Sequence, residues 1–182
     1  SHADYDGRFD PHVWMDPTTW RSVVAEITGA LSAARPDHAD VFARNAEAYD
    51  TELTALATYA NRALAKVPQD QRVLVTAHDA FGYFAATYDL TFVAPQGMST
   101  ESEASAGDVA ALITQIREDS ISAVFIESIT DNRMMEQIAN ETGATIGGTL
   151  YSDALSAQSG PASTYLDMMR HNATTLFDAL GN

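Results

Sequence analysis

Apolar residues in the first third of the chain recur at spacings of three and four, the period of a helix that buries one face. One such helix is predicted after Asp16, which can cap it, with Pro17 at its first position and an end near Arg35. A longer pattern covers residues 37–67 and is followed by a proline. At about 1.5 Å per residue this helix would be roughly 45 Å long. We expect it to be a spine that joins two bodies, with two shorter helices as the alternative.

The pattern changes after residue 68 to short apolar runs, each followed by a helical pattern. Buried strands are predicted over residues 72–76, 90–94 and 123–126, with a weaker strand near 144–147. Strands that alternate with helices are typical of a parallel sheet with helices on both faces. We therefore predict an α/β fold.

The composition limits which partners and which metal ligands the chain can have. The chain has 182 residues, with 25 Asp and Glu against 10 Lys and Arg, and a formal net charge of −15. Such an acidic protein is poorly suited to bind phosphate backbones, so nucleic acid is not an expected partner. There is no Cys, and any metal would have to be bound by His, Asp or Glu.

Candidate ligands follow the predicted strands. In an open parallel sheet, ligands bind beyond the carboxyl ends of the strands. His78 comes after the strand at 72–76, Glu127 after 123–126, and Asp153 after the last strand, while His12 lies in an extended segment between two prolines. A residue of this kind, taken alone, is more often an ordinary polar residue at a helix start or a turn than a ligand.

Taken together, His12, His78 and Asp153 have a more specific chemistry. Two imidazoles and one carboxylate suit Zn²⁺ or Mn²⁺. Three ligands leave one tetrahedral position open, for a catalytic water or for a ligand from outside this chain. The open alternatives are a metal carrier, a metalloenzyme that uses these residues as a zinc hydrolase or a non-haem iron enzyme, and an interaction module without metal.

Three segments carry a resemblance to a known family. They are Asp-Pro-His-Val-Trp-Met-Asp-Pro at 10–17, Thr-Ala-His-Asp-Ala-Phe-Gly-Tyr-Phe at 76–84 and Tyr-Ser-Asp-Ala-Leu at 151–155. In order and context they resemble the zinc- and manganese-specific solute-binding proteins of bacterial ABC transporters, most closely the zinc-binding AztC type with three His and one Asp.

The resemblance implies two α/β lobes joined by a long helix, with the metal between them. Residues 1–36 would then belong with the amino-terminal lobe, 37–67 would be the linker helix, and 68–182 the carboxy-terminal lobe. His12, His78 and Asp153 match family ligands, and a further His is expected from an amino-terminal lobe that this chain lacks. Manganese-binding members usually have Glu at the position of His78, so zinc is expected first and manganese second.

The resemblance also implies capture and delivery without a reaction. We expect a periplasmic monomer that hands Zn²⁺ to an ABC permease, with a periplasmic metallochaperone as a further partner. Asp16, Asp79 and Glu127 are the residues expected to orient the imidazoles. The loop at 97–106, which contains Glu101 and Glu103, is expected either to gate the site or to be a solvated loop without a role. Because imidazole must be neutral to bind a metal, we expect release below about pH 6.5.

Overall fold

The computed structural model describes residues 9–98 and 104–181. Its elements, in chain order, are α1 (Pro17–Ala34), α2 (Ala39–Leu64), β1 (Val73–Val75), α3 (Gly82–Tyr88), β2 (Thr91–Val93), α4 (Ala106–Glu118), β3 (Ala123–Glu127), α5 (Asn132–Thr142), β4 (Thr145–Leu150) and α6 (Tyr165–Leu180). Short 3-10 helices lie at Val13–Met15, Pro36–His38 and Gln69–Gln71. Within the described residues, no helix is both long and apolar enough to cross a membrane.

The four strands form one parallel sheet in the order β2-β1-β3-β4, which confirms the predicted α/β fold. All four strands point the same way, so their carboxyl ends meet at one edge of the sheet. The segments that carry His78 and Asp153 leave β1 and β4 at this edge, and Glu127 is the last residue of β3.

Helices cover both faces of the sheet because successive strand residues point to opposite sides. On β3, Phe125 packs into a core with residues of α2, α3 and α6, whereas Val124 packs into a second core with residues of α4 and α5. The large buried side chains of the first core include Leu56, Leu64, Phe84, Met169 and Leu176. Those of the second include Ile113, Ile116, Met135 and Ile138.

Within the long pattern at 37–67, residues Ala39–Leu64 form one continuous α-helix, so the alternative of two shorter helices is wrong. α2 has 26 residues and follows a 3-10 turn, which makes it roughly 39 Å long. Its buried residues all lie in the second half, at Leu53, Leu56, Ala60 and Leu64. The division of the chain into a linker helix and two flanking parts remains a prediction.

The last strand is longer than its pattern indicates. β4 runs from Thr145 to Leu150, through Gly147 and Gly148, which offer no apolar side chain to reveal it. A Cβ at Gly147 would lie 2.6 Å from the Phe125 ring, so this strand needs a glycine to pack against β3. Gly148 has a φ of 136°, which other residues rarely adopt.

Candidate metal site

His12, His78 and Asp153 meet at the carboxyl edge of the sheet. Each offers one ligand atom, and these atoms all lie within 4.8 Å of one another. Nε2 of His12 is 3.5 Å from Oδ1 of Asp153, and Nε2 of His78 is 3.1 Å from Oδ2 of the same carboxylate. The two imidazoles are buried, whereas the Asp153 side chain is 30% exposed. The site therefore has two enclosed nitrogen donors and one oxygen donor on its open side.

The donor set fits a divalent transition-metal ion. With ligands about 2.0–2.1 Å from a tetrahedral Zn²⁺, neighbouring ligand atoms are roughly 3.3 Å apart. The nitrogen–oxygen separations of 3.5 and 3.1 Å bracket this value. The two imidazoles approach different oxygens of Asp153, and one ligand atom from each residue lies within 4.8 Å of the others, so an ion would draw the three side chains closer together.

Glu127 holds His78 from the side opposite Asp153. Its Oε1 accepts the His78 backbone N–H at 2.8 Å, and its Oε2 lies 2.7 Å from the ring Nδ1. The second approach departs from the angle of a hydrogen bond, and both groups are fully buried. The His78 carbonyl accepts the hydroxyl of Thr76. These contacts turn Nε2 of His78, the potential ligand atom, toward Asp153 and His12.

Asp10 plays the same geometric part for His12, which the sequence reasoning missed. Its Oδ1 accepts the His12 backbone N–H at 2.9 Å and lies 2.7 Å from the ring Nδ1. Both imidazoles thus have a carboxylate on Nδ1 and leave Nε2 to face the site, which is the usual arrangement behind metal-bound His. The signal in the sequence is an Asp two residues before the His, which permits a turn that bonds its backbone.

The other two residues expected to orient the imidazoles are placed differently. Asp16 caps α1, where its two carboxylate oxygens accept the backbone N–H groups of Thr18 and Thr19. Asp79 follows His78 directly and donates its backbone N–H to the carbonyl of Gln96, beside the bridge that pairs His78 with Gln96. Residues 99–103 of the expected gating loop, with Glu101 and Glu103, lie outside the described residues.

The protonation of His78 depends on its two carboxylate neighbours. Burial lowers the pKa of the imidazole, but the hydrogen bond to Asp153, the close approach of Glu127 and the negative charges of both carboxylates outweigh burial and raise the pKa from 6.5 to about 9. Without a metal, His78 is therefore protonated at neutral pH. A bound cation would take the place of that proton.

The model of one known protein family matches nearly the whole chain. The family model described as "Zinc-uptake complex component A periplasmic" (ZnuA) matches residues 1–179. The manganese-binding lipoprotein MntA of Bacillus subtilis is 41% identical over 177 residues, or 94% of this chain. The zinc-binding protein TroA of Treponema pallidum is 37% identical over 180 residues, or 96% of the chain. The metal ABC transporter substrate-binding lipoprotein SloC of Streptococcus mutans is 27% identical over 179 residues, or 98% of the chain.

The solved structure of TroA agrees with this fold at a TM-score of 0.93, with 36% sequence identity, over 97% of this chain and 66% of that structure. The chain spans 58% of the length of each of the three relatives. These relatives are metal-binding or substrate-binding proteins, which confirms at the level of the family the prediction that the chain is not an enzyme. A periplasmic or outer-surface location is likewise consistent with the family description and the lipoprotein relatives.

Proposed function

This chain belongs to the ZnuA family of periplasmic metal-uptake components, and from that membership we propose that it binds a divalent metal ion as cargo for an ABC transporter. The observation that carries the proposal is the meeting of His12, His78 and Asp153 at one sheet edge, with their ligand atoms within 4.8 Å of one another. In this proposal the metal is the transported substrate, and the chain catalyses no reaction.

We propose Zn²⁺ as the cargo, with Mn²⁺ second. Two imidazole nitrogens and one carboxylate favour zinc over a harder ion, which prefers oxygen ligands. The relatives differ in this respect, since MntA is named for manganese and TroA for zinc. The AztC-type arrangement of three His and one Asp is our proposal for the complete site, with the further His supplied by residues beyond this chain.

The remaining assignments extend the same proposal. Residues 1–36 would belong with an amino-terminal lobe, 37–67 would link the lobes, and 68–182 would form the second lobe around the ion. Delivery would be to an ABC permease, with a periplasmic metallochaperone as a further partner and the binding protein itself monomeric. The proposal of a permease partner is supported by the name of the relative SloC, a metal ABC transporter substrate-binding lipoprotein.

Zinc titration of matched variants tests the proposal. His78→Ala removes a ligand, whereas His171→Ala removes a His of α6 whose Nε2 lies 3.0 Å from the Thr149 carbonyl oxygen. We expect His78→Ala to weaken zinc binding at least a hundredfold and His171→Ala to change it less than threefold. The measurement is competition against a chromogenic chelator at pH 8, with Mn²⁺ titrated in parallel.

Three results would contradict the proposal in whole or in part. Equal losses of zinc affinity in His78→Ala and His171→Ala would show that His78 is not a metal ligand. Tighter binding of Mn²⁺ than of Zn²⁺ would overturn the choice of cargo while leaving the metal site in place. Hydrolysis of activated esters by the zinc-loaded chain, abolished by His78→Ala, would favour the metalloenzyme alternative.

A further inference from the structure

We propose that Trp14 is a positioning residue of the metal site, and that its indole ring holds the segment of His12 against the segment of Asp153. This inference rests on the proposed function, because it concerns how the same ligands are held. It goes beyond it by naming a residue that touches neither the ion nor the Nδ1 atoms of the imidazoles.

The indole ring of Trp14 contacts the segment that carries His12. Trp14 lies two residues after His12, in the 3-10 helix Val13–Met15. The two rings meet edge to face, with centroids 5.4 Å apart and planes at 70°. The turn itself is anchored, since Met15 is fully buried and the Trp14 carbonyl accepts the hydroxyl of Tyr165 at 2.8 Å.

On the other side, the indole N–H reaches the Asp153 segment. Nε1 of Trp14 donates to the carbonyl of Ser152 at 2.9 Å, one residue before the ligand. Asp153 itself lies between β4 and α6, outside any helix or strand. Its neighbour Tyr151 is held separately, because the side-chain amide of Asn172 bonds both its N–H and its carbonyl.

Trp14 is thus a direct link between the two ligand-bearing segments. The Asn172 contacts fix the end of β4, but they come from α6 and leave the spacing between Asp153 and His12 to other groups. The indole sets that spacing, since its ring contacts one ligand and its N–H bonds the residue next to the other. Loss of the N–H should let Asp153 move away from His12, which is 3.5 Å distant in the structure.

The test is a double-mutant cycle between Trp14 and Asp153. Trp14→Phe keeps an aromatic ring but removes the N–H donor, and Trp20→Phe makes the same change at the only other tryptophan, which stacks on Tyr165. Zinc affinity is measured by chelator competition, and the unfolding midpoint of each metal-free variant is measured alongside. We expect Trp14→Phe to weaken zinc binding about tenfold, in the range seen for groups that orient ligands, and Trp20→Phe to leave it within twofold.

The cycle separates positioning of Asp153 from a general effect. In an Asp153→Ala background, we expect Trp14→Phe to change zinc affinity less than twofold, because the residue it positions is gone. A tenfold loss in both backgrounds, or no loss in either, would overturn the inference. Failure of the unaltered chain to bind zinc would instead refute the proposed function, so the two failures are distinguishable.

A second measurement decides the matter if Trp14→Phe does not fold. In Trp20→Phe, Trp14 is the only tryptophan, and its fluorescence reports the contact between the two segments. We expect saturating Zn²⁺ to change this emission, and the change to disappear when Asp153→Ala is added at zinc concentrations that still saturate the remaining ligands. The inference would be overturned if Trp14 emission did not change on zinc addition, or if it changed equally in the Asp153→Ala variant.

Discussion

Zinc affinity should fall steeply as the pH is lowered from about 9, because a proton and the metal compete for His78. The metal requires a neutral imidazole. The two carboxylates beside His78 raise the pKa of that imidazole to about 9 in the metal-free protein. The proton is therefore bound throughout the neutral range and must leave when zinc binds. Zinc affinity therefore reaches its limiting value above the raised pKa of His78 and falls as the pH drops below that pKa.

The size of the loss in zinc affinity follows from the difference between the pH and the pKa of His78. Each pH unit below the pKa should raise the apparent Kd about tenfold, so that at pH 7 binding is about a hundredfold weaker than its limit. This corresponds to about 3 kcal/mol. An unperturbed imidazole would show almost no loss until about pH 6.5. The buried pair of His78 and Glu127 thus moves the expected onset of metal release well above the value that the sequence alone suggested.

Calorimetry at pH 7 in buffers of different ionisation enthalpy measures the proton directly. We expect about one proton released from His78 per zinc bound, and a slope near −1 in a plot of log Kd against pH between about 6.5 and 8, below the raised pKa. His78→Ala should abolish most of this proton release, while His171→Ala should retain it. A Kd that is constant between pH 7 and 8.5, with no proton released, would refute the reasoning.

Four further predictions concern the supports of the site and the fold. In the limiting zinc affinity, after correction for proton competition at His78, Glu127→Gln should cause a loss of roughly 10- to 100-fold. Glu118→Gln, the same change at an exposed position, should cause none, and equal affinities of the two variants would exclude a role for Glu127. Gly147→Ala should destabilise the fold by roughly 1–3 kcal/mol in urea unfolding, because its Cβ would meet an aromatic ring at 2.6 Å. Gly29→Ala, with open space around it in α1, should stabilise the fold by roughly 0.5–1 kcal/mol, and a loss there would contradict the packing described. Asp16→Ala should cost about 1–2 kcal/mol by removing the cap of α1, with an unchanged unfolding midpoint as the contrary result.

The fold was largely predictable because its local signals agree with its global packing. Asp16 and Pro17 mark the start of α1, and the Ser105 and Asp108 capping box marks the start of α4. The weak point was β4, where Gly147 and Gly148 leave no apolar alternation. The space at Gly147 is filled by Phe125 and the space at Gly148 by Thr175, and no local pattern reports contacts between residues so far apart in sequence.

The meeting of His12, His78 and Asp153 was predictable from the sequence, but the groups that support them only in part. The rule that ligands bind beyond the ends of parallel strands singled out His78 and Asp153 before any geometry was known. Asp16 was one of the residues expected to orient the imidazoles, but both of its oxygens cap α1, and it is Asp10 that contacts Nδ1 of His12. Which of two nearby carboxylates turns toward a ring depends on backbone dihedrals that the sequence does not reveal.

His12, His78 and Asp153, the three proposed ligands, come from segments that are far apart along a chain without cysteine. An ion held by His12, His78 and Asp153 would act as a cross-link, closing long loops whose ends are costly in entropy to bring together. By mass action, occupancy would then raise the melting temperature, more so as free metal exceeds the Kd. Loaded and empty molecules would differ in their resistance to heat and proteases as well as in their cargo.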